Sequence, residues 1–132
     1  MTVADDVIQY LEDQDVGEEY RLLVRQVSLD TKYNGGQYIL IRDVPDSRVP
    51  DSVAGVSYHT VSVTVAMGPG DSGMKQAGEV SDTLWKSLEL VTDQAINGTF
   101  YPLITNSASP SEIQVGEITT FTWNLDIIRY YG

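Results

Sequence analysis

Residues Ile118 to Tyr131 constrain this chain more than any other segment: Phe121, Trp123, Leu125 and Ile127 alternate with Thr120, Thr122, Asn124 and Asp126. A period of two carried by aromatic and β-branched residues is the pattern of a half-buried strand. Chain ends fray unless they pair. A sheet-like segment at the very end is therefore expected inside the fold, as structure and not as a tail.

The 132 residues suffice for one domain, 1–132, with a core of its own. Cysteine is absent, which excludes disulfides and thiolate metal sites. Thr2-Val3-Ala4-Asp5-Asp6 lacks the basic start and apolar run of a secretory leader, and no apolar stretch approaches the ~20 residues that span a bilayer. We expect a soluble, non-membrane protein made inside the cell. A net charge of -11 opposes direct nucleic-acid binding, which needs clustered lysine and arginine. Asp5, Asp6, Glu12, Asp13, Asp15, Glu18 and Glu19, with no base among them, make the first element an acidic surface. Such a balance also suits a high-salt host, where net charge keeps proteins soluble.

Val3, Val7, Ile8 and Leu11 follow at helical spacing, with Thr2 and Asp5 placed as a capping box and Gly17 as a stop. This predicts a short helix of about three turns. Tyr20–Val27 and Gln37–Ile41 read as strands joined in a hairpin through Asn34-Gly35-Gly36. From 43 to 57 the chain repeats itself, Val44-Pro45-Asp46-Ser47 and then Val49-Pro50-Asp51-Ser52, which predicts a long exposed loop. Tyr58–Met67 is a second clearly alternating strand, closed by Gly68-Pro69-Gly70.

Asp71 or Ser72 can cap a long helix whose apolar residues Met74, Ala77, Val80, Leu84, Trp85, Leu88 and Val91 recur at three- and four-residue steps towards Asn97-Gly98. Thr99–Thr105 is a further strand that Pro102 pushes to an edge or a bulge. Ser107–Ser111 is a turn, and Glu117–Tyr131 completes the order. The expected fold is α+β: a mainly antiparallel or mixed sheet of about five strands packed by one long and one short helix.

Signals for chemistry are fragmentary. Gly70-Asp71-Ser72-Gly73 copies the surroundings of a serine-protease nucleophile, but Met74 follows where a further glycine belongs, and the one histidine, His59, falls in a strand. Ser72 is read as a helix cap. Gly68-x-Gly70 lacks the remaining glycine of a dinucleotide loop, and a single histidine without cysteine builds no zinc site. Nothing singles out a catalytic pair among nineteen acids, and Asn97-Gly98-Thr99, a formal glycosylation sequon, is read as a helix stop. No catalytic residue, cofactor or metal is expected. Eight tyrosines suit an interaction surface, where the ring is buried and the hydroxyl stays wet.

Val7-Ile8-x-x-Leu11-Glu12, the valine strand Val61–Val65, the helix with Ala77, Leu84 and Leu88, and the last strand Phe121–Arg129 together resemble the tail terminator (tail completion, minor capsid) proteins of long-tailed phages and tailed viruses. The repeated Val-Pro-Asp-Ser segment is not part of that pattern. The resemblance implies a non-enzymatic virion protein, assembled in the host cytoplasm. It would form a ring of about six subunits by heterologous contacts. That ring would stop tube growth at the head-proximal end and join the tube to a head–tail connector or head-closure protein. Its partners would be itself, the tail tube protein and that connector. DNA would pass without specific binding, since carboxylates repel phosphates. Asp43, Asp46 and Asp51 are the candidates for a surface facing lumen or partner. Another neck, connector or tube component is the near alternative; a small ligand-binding domain or enzyme is the distant one.

Overall fold

The computed structural model describes residues 3–14, 23–24, 37–44 and 56–130. In chain order these form α1 (Val3–Asp13), β1 (Leu23–Val24), β2 (Gln37–Asp43), β3 (Val56–Pro69), α2 (Gly70–Ser87), β4 (Val91–Ile96), β5 (Thr99–Asn106), β6 (Ser111–Val115) and β7 (Ile118–Tyr130). The fold is α+β, and the described residues form two helices and one mixed seven-stranded sheet ordered β1-β2-β3-β7-β5-β4, β6 pairing β7 beside that path.

The alternating last strand is the axis of this sheet. β3 runs antiparallel along one side of β7, from Val56 opposite Tyr130 to Pro69 opposite Ile118. Its other side is shared end to end by β6, which takes residues 118–122, and β5, which takes 125–130. Pleating sends odd-numbered residues of β3 and β7 to one face, so Val61, Val63, Val65, Trp123, Leu125 and Ile127 form a single apolar layer. Both helices cover that layer: α1 through Val3, Ala4, Val7 and Leu11, α2 through Ala77, Val80 and Leu84. Each large side chain so buried contributes about 1.5–3 kcal/mol. Tyr38, Leu40, Ala66 and Ile118 make a smaller buried cluster on the opposite face.

Several expectations are corrected. β1 pairs β2 in parallel (Leu23 with Ile39, Val24 with Leu40), so these strands are not a hairpin. Parallel neighbours need a crossover connection instead of a tight turn, and Asn34-Gly35-Gly36 lies outside the described residues. α1 ends at Asp13, ahead of Gly17, which also lies outside them. Thr2 is likewise outside, and the N–H of Ala4 is taken by Asp43 Oδ1 at 3.1 Å.

The long helix stops at Ser87, where the N–H of Leu88 is shared between the carbonyls of Leu84 (3.1 Å) and Trp85 (3.2 Å). Val91 continued the helical spacing but opens a strand. Asn97 (φ 51°) and Gly98 (φ 80°) are the centre of the β4–β5 hairpin, flanked by the pair Ile96 and Thr99. Two successive positive φ values define the turn that matches strand twist, and Asn-Gly adopts it at least cost. Neither Asp71 nor Ser72 caps α2: its N-cap is Pro69, without a side-chain cap bond. Pro102 lies inside the sheet, between β4 and β7, where the register slips from Phe100 opposite Tyr130 to Leu103 opposite Ile128. That bulge absorbs its missing donor. Ser111, assigned to a turn, opens the unforeseen strand β6.

Candidate functional site

Three concentrations of unusual side chains stand out, and the first is polar. Near the N-terminal turns of α1, Asp6 is buried at 3% exposure. Asn97 Nδ2 donates to its Oδ1 at 2.8 Å, and the Tyr101 hydroxyl donates to its Oδ2. Burial above all, then the bond to Asp6 and its charge, push the Tyr101 hydroxyl well above the usual tyrosine range, with Arg129 opposing. Arg129 Nε is buried without a hydrogen-bond partner among the described residues. On the same face of β3, Ser57 Oγ and His59 Nε2 are 2.7 Å apart. Burial, then the Arg129 charge, lower the His59 pKa, and Asp43 acts against them.

Ser57 and His59 thus do meet, but not as a nucleophile's machinery. Ser57 is 1% exposed, so no substrate carbonyl reaches its oxygen, and strand geometry alone sets residues two apart side by side. Ser72 stands exposed in the first turn of α2, while His59 is engaged with Ser57. The cluster locks α1 onto the sheet by satisfying a buried carboxylate.

The second concentration is an open groove of about 310 Å³ beside α2, lined by Ser81, Asp82, Trp85, Pro110 and Phe121 among others. Trp85 Nε1 donates to the Ala108 carbonyl at 3.0 Å. Asn106 joins the two tryptophans: its Nδ2 donates to the Trp85 carbonyl (2.7 Å), and its Oδ1 accepts from Trp123 Nε1 (2.8 Å). Ser81 Oγ is buried without a partner among the described residues.

The third lies on the sheet face away from the helices. Register sets Val56, Tyr130 and Phe100 in one cross-strand row and Tyr58, Ile128 and Leu103 in the next. Phe100 (39% exposed) and Tyr130 (46%) are open to solvent, the others partly so except where β-pairing hides their backbone. Apolar rows of this kind on an outer face mark contact surfaces.

Of the residues proposed to face lumen or partner, Asp43 is the last residue of β2, opposite Val61, and its carboxylate holds the start of α1. It is not a loop residue. Asp46 and Asp51 lie outside the described residues, and the expected loop of 43–57 loses its ends to β2 and β3. Sequence reasoning placed Trp85 and Phe121 in regular elements but missed the groove between them. The tie between Asp6 and Tyr101 left no local trace either, because those residues are 95 positions apart. Among the described residues, no three or more His, Cys, Asp and Glu gather as a metal would need. No helix among them is long and apolar enough to cross a membrane.

No family model matches the chain, and no curated protein matches it in sequence. Six solved chains match it in structure. One of them, whose name carries no functional description, superposes with a TM-score of 0.55 at 14% identity, covering 99% of both chains. At that identity the likeness establishes a shared fold alone.

Proposed function

We propose that this chain is a structural virion subunit: a ring of about six copies, closed by heterologous contacts, at the head-proximal end of a viral tail tube. In this reading it ends tube polymerisation, presents a surface to the head–tail connector or head-closure protein, and makes or breaks no covalent bond. The observation that carries the reading is the double apolar row of Val56, Tyr58, Phe100, Leu103, Ile128 and Tyr130 on the face the helices leave uncovered. A sheet backed on one side can meet a neighbouring copy with the other, and aromatic residues favour such contacts. Exposed acids, among them Glu12, Asp13, Asp82, Glu89, Asp93 and Glu112, support passage of DNA without adhesion.

The test is sedimentation velocity across a concentration series, on the parent chain and on Phe100→Glu. The expected result is a concentration-dependent closed oligomer in the parent and loss of that species in the variant, at unchanged melting temperature. A parent that stays monomeric and is stabilised by a small ligand favours a binding domain or enzyme. A variant that assembles like the parent removes the apolar rows from the interface.

A further inference from the structure

We infer that the free edge of β6, with the groove beside it, receives an extended basic segment of another protein as an added strand. The proposal concerns a different surface from the apolar rows and stands independently of the ring reading.

All five residues of β6 are exposed, and among the described residues β7 is its one strand partner. In an antiparallel hairpin the flanking pair Val115 and Ile118 exchanges both backbone bonds, and the alternation then repeats at Ile113 and Ser111. The N–H and C=O groups of Glu112 and Gln114 therefore point away from β7, towards a strand position that no described residue fills. Natural sheets blunt such edges with proline, lysine, a kink or a cover. β4 follows that rule through the left-handed Asp93 (φ 52°). β6 itself carries no proline, lysine or kink, its one charge being Glu112, and Ile113 (48% exposed) and Val115 (39%) sit on it uncovered.

The chemistry of the occupant follows from the two faces. Glu112 pairs with Phe121, which lines the groove, so an added strand lays its side chains on that face against Trp85, Pro110 and Phe121. On the other face it continues Ile113 and Val115. From Ser111 to Glu117 the hairpin offers two acids, Glu112 and Glu117, and no base. Neither acid joins an ion pair among the described residues, whereas Asp82 is already bound to Lys86 at 3.0 Å. Opposite charges across a strand pair stabilise it, and like charges destabilise it. A second copy of β6 offers Glu112 no base in any register, so the occupant that fits is a foreign strand alternating lysine or arginine with apolar residues.

The test uses two capped peptides, one alternating arginine with valine and one alternating glutamate with valine, added to the full chain. Amide hydrogen exchange is read at Glu112 and Gln114, and fluorescence at Trp85. The arginine peptide is expected to slow exchange at both amides by about tenfold or more and to shift the tryptophan emission; the glutamate peptide is not. Gln114→Pro removes one outward donor at a position where an edge strand tolerates proline, and is expected to abolish the protection with the fold intact. Glu112→Gln is expected to weaken binding by about two- to fivefold. Equal binding of both peptides, full binding by Gln114→Pro, or absence of protection with the arginine peptide overturns the proposal. Protection of the same amides by self-association without peptide overturns the foreign occupant in favour of a second copy.

Discussion

Replacing Tyr101 with phenylalanine removes a single hydroxyl from the core and leaves the ring packing in place. That hydroxyl donates to Asp6 Oδ2, and Asp6 is 3% exposed, so solvent does not replace the lost donor. Asn97 continues to serve Oδ1, but Oδ2 is left without a donor among the described residues. A hydrogen bond to a charged group contributes about 1.5–3 kcal/mol, and stranding its buried partner sets the loss at the upper part of that range. The expected destabilisation is about 2–3 kcal/mol, or about 8–12 °C in melting temperature for a domain of this size. Urea titration followed by tryptophan fluorescence measures it, since Trp123 is buried in the layer that α1 and α2 cover. The denaturant slope stays constant if only native stability changes. In an Asp6→Asn background the same substitution is expected to cost about half as much, because the acceptor is no longer ionic. A loss below about 0.5 kcal/mol, or an equal loss in both backgrounds, refutes the claim that a buried carboxylate anchors α1.

Gly73→Ala places a Cβ 2.2 Å from the carbonyl oxygen of Gly68, a backbone atom that cannot step aside. The variant is expected to lose about 1–3 kcal/mol in a urea titration, and a gain in stability, as helix propensity alone requires, contradicts that close approach. Asp43→Ala frees the N–H of Ala4 and is expected to cost about 1 kcal/mol by thermal melting; an unchanged melting temperature removes Asp43 as the cap of α1. The folded-state pKa of His59 lies below its ordinary value of 6.5, so the unfolded chain binds the proton more readily. Stability from this group is full above about pH 6.5 and falls as pH drops from there towards the folded pKa. Unfolding titrations between about pH 7 and 5 should therefore slope less steeply in His59→Gln than in the parent, and a steeper slope in the variant reverses the assignment.

Strands β3 and β7 were legible because their period of two persists over many residues and one face is apolar through their centres, Val61 to Met67 and Phe121 to Ile127. α1 was legible through Val3, Val7 and Leu11 on one stripe. The end of α2 was not: Leu84, Leu88 and Val91 keep helical spacing across a chain reversal, and all three are buried although the last begins a strand. The stronger signal was Asn97-Gly98, whose hairpin preference outweighs a single apolar position. β6 escaped notice because its alternation of Glu112, Ile113, Gln114 and Val115 is only four residues long and follows a run read as a turn. The site features were the least legible. Asp6 with Tyr101, and Trp85 with Pro110 and Phe121, are brought together by sheet topology, and helical or strand periodicity carries no information about partners so distant in sequence.

Electron microscopy of assembled particles that carry this subunit tests the functional claim most directly. The expected density is one closed ring of repeated copies between tail tube and head–tail connector, with the face bearing Phe100 and Tyr130 against the adjoining subunit. Density along the length of the tube, at the distal tip, or nowhere in the particle contradicts it.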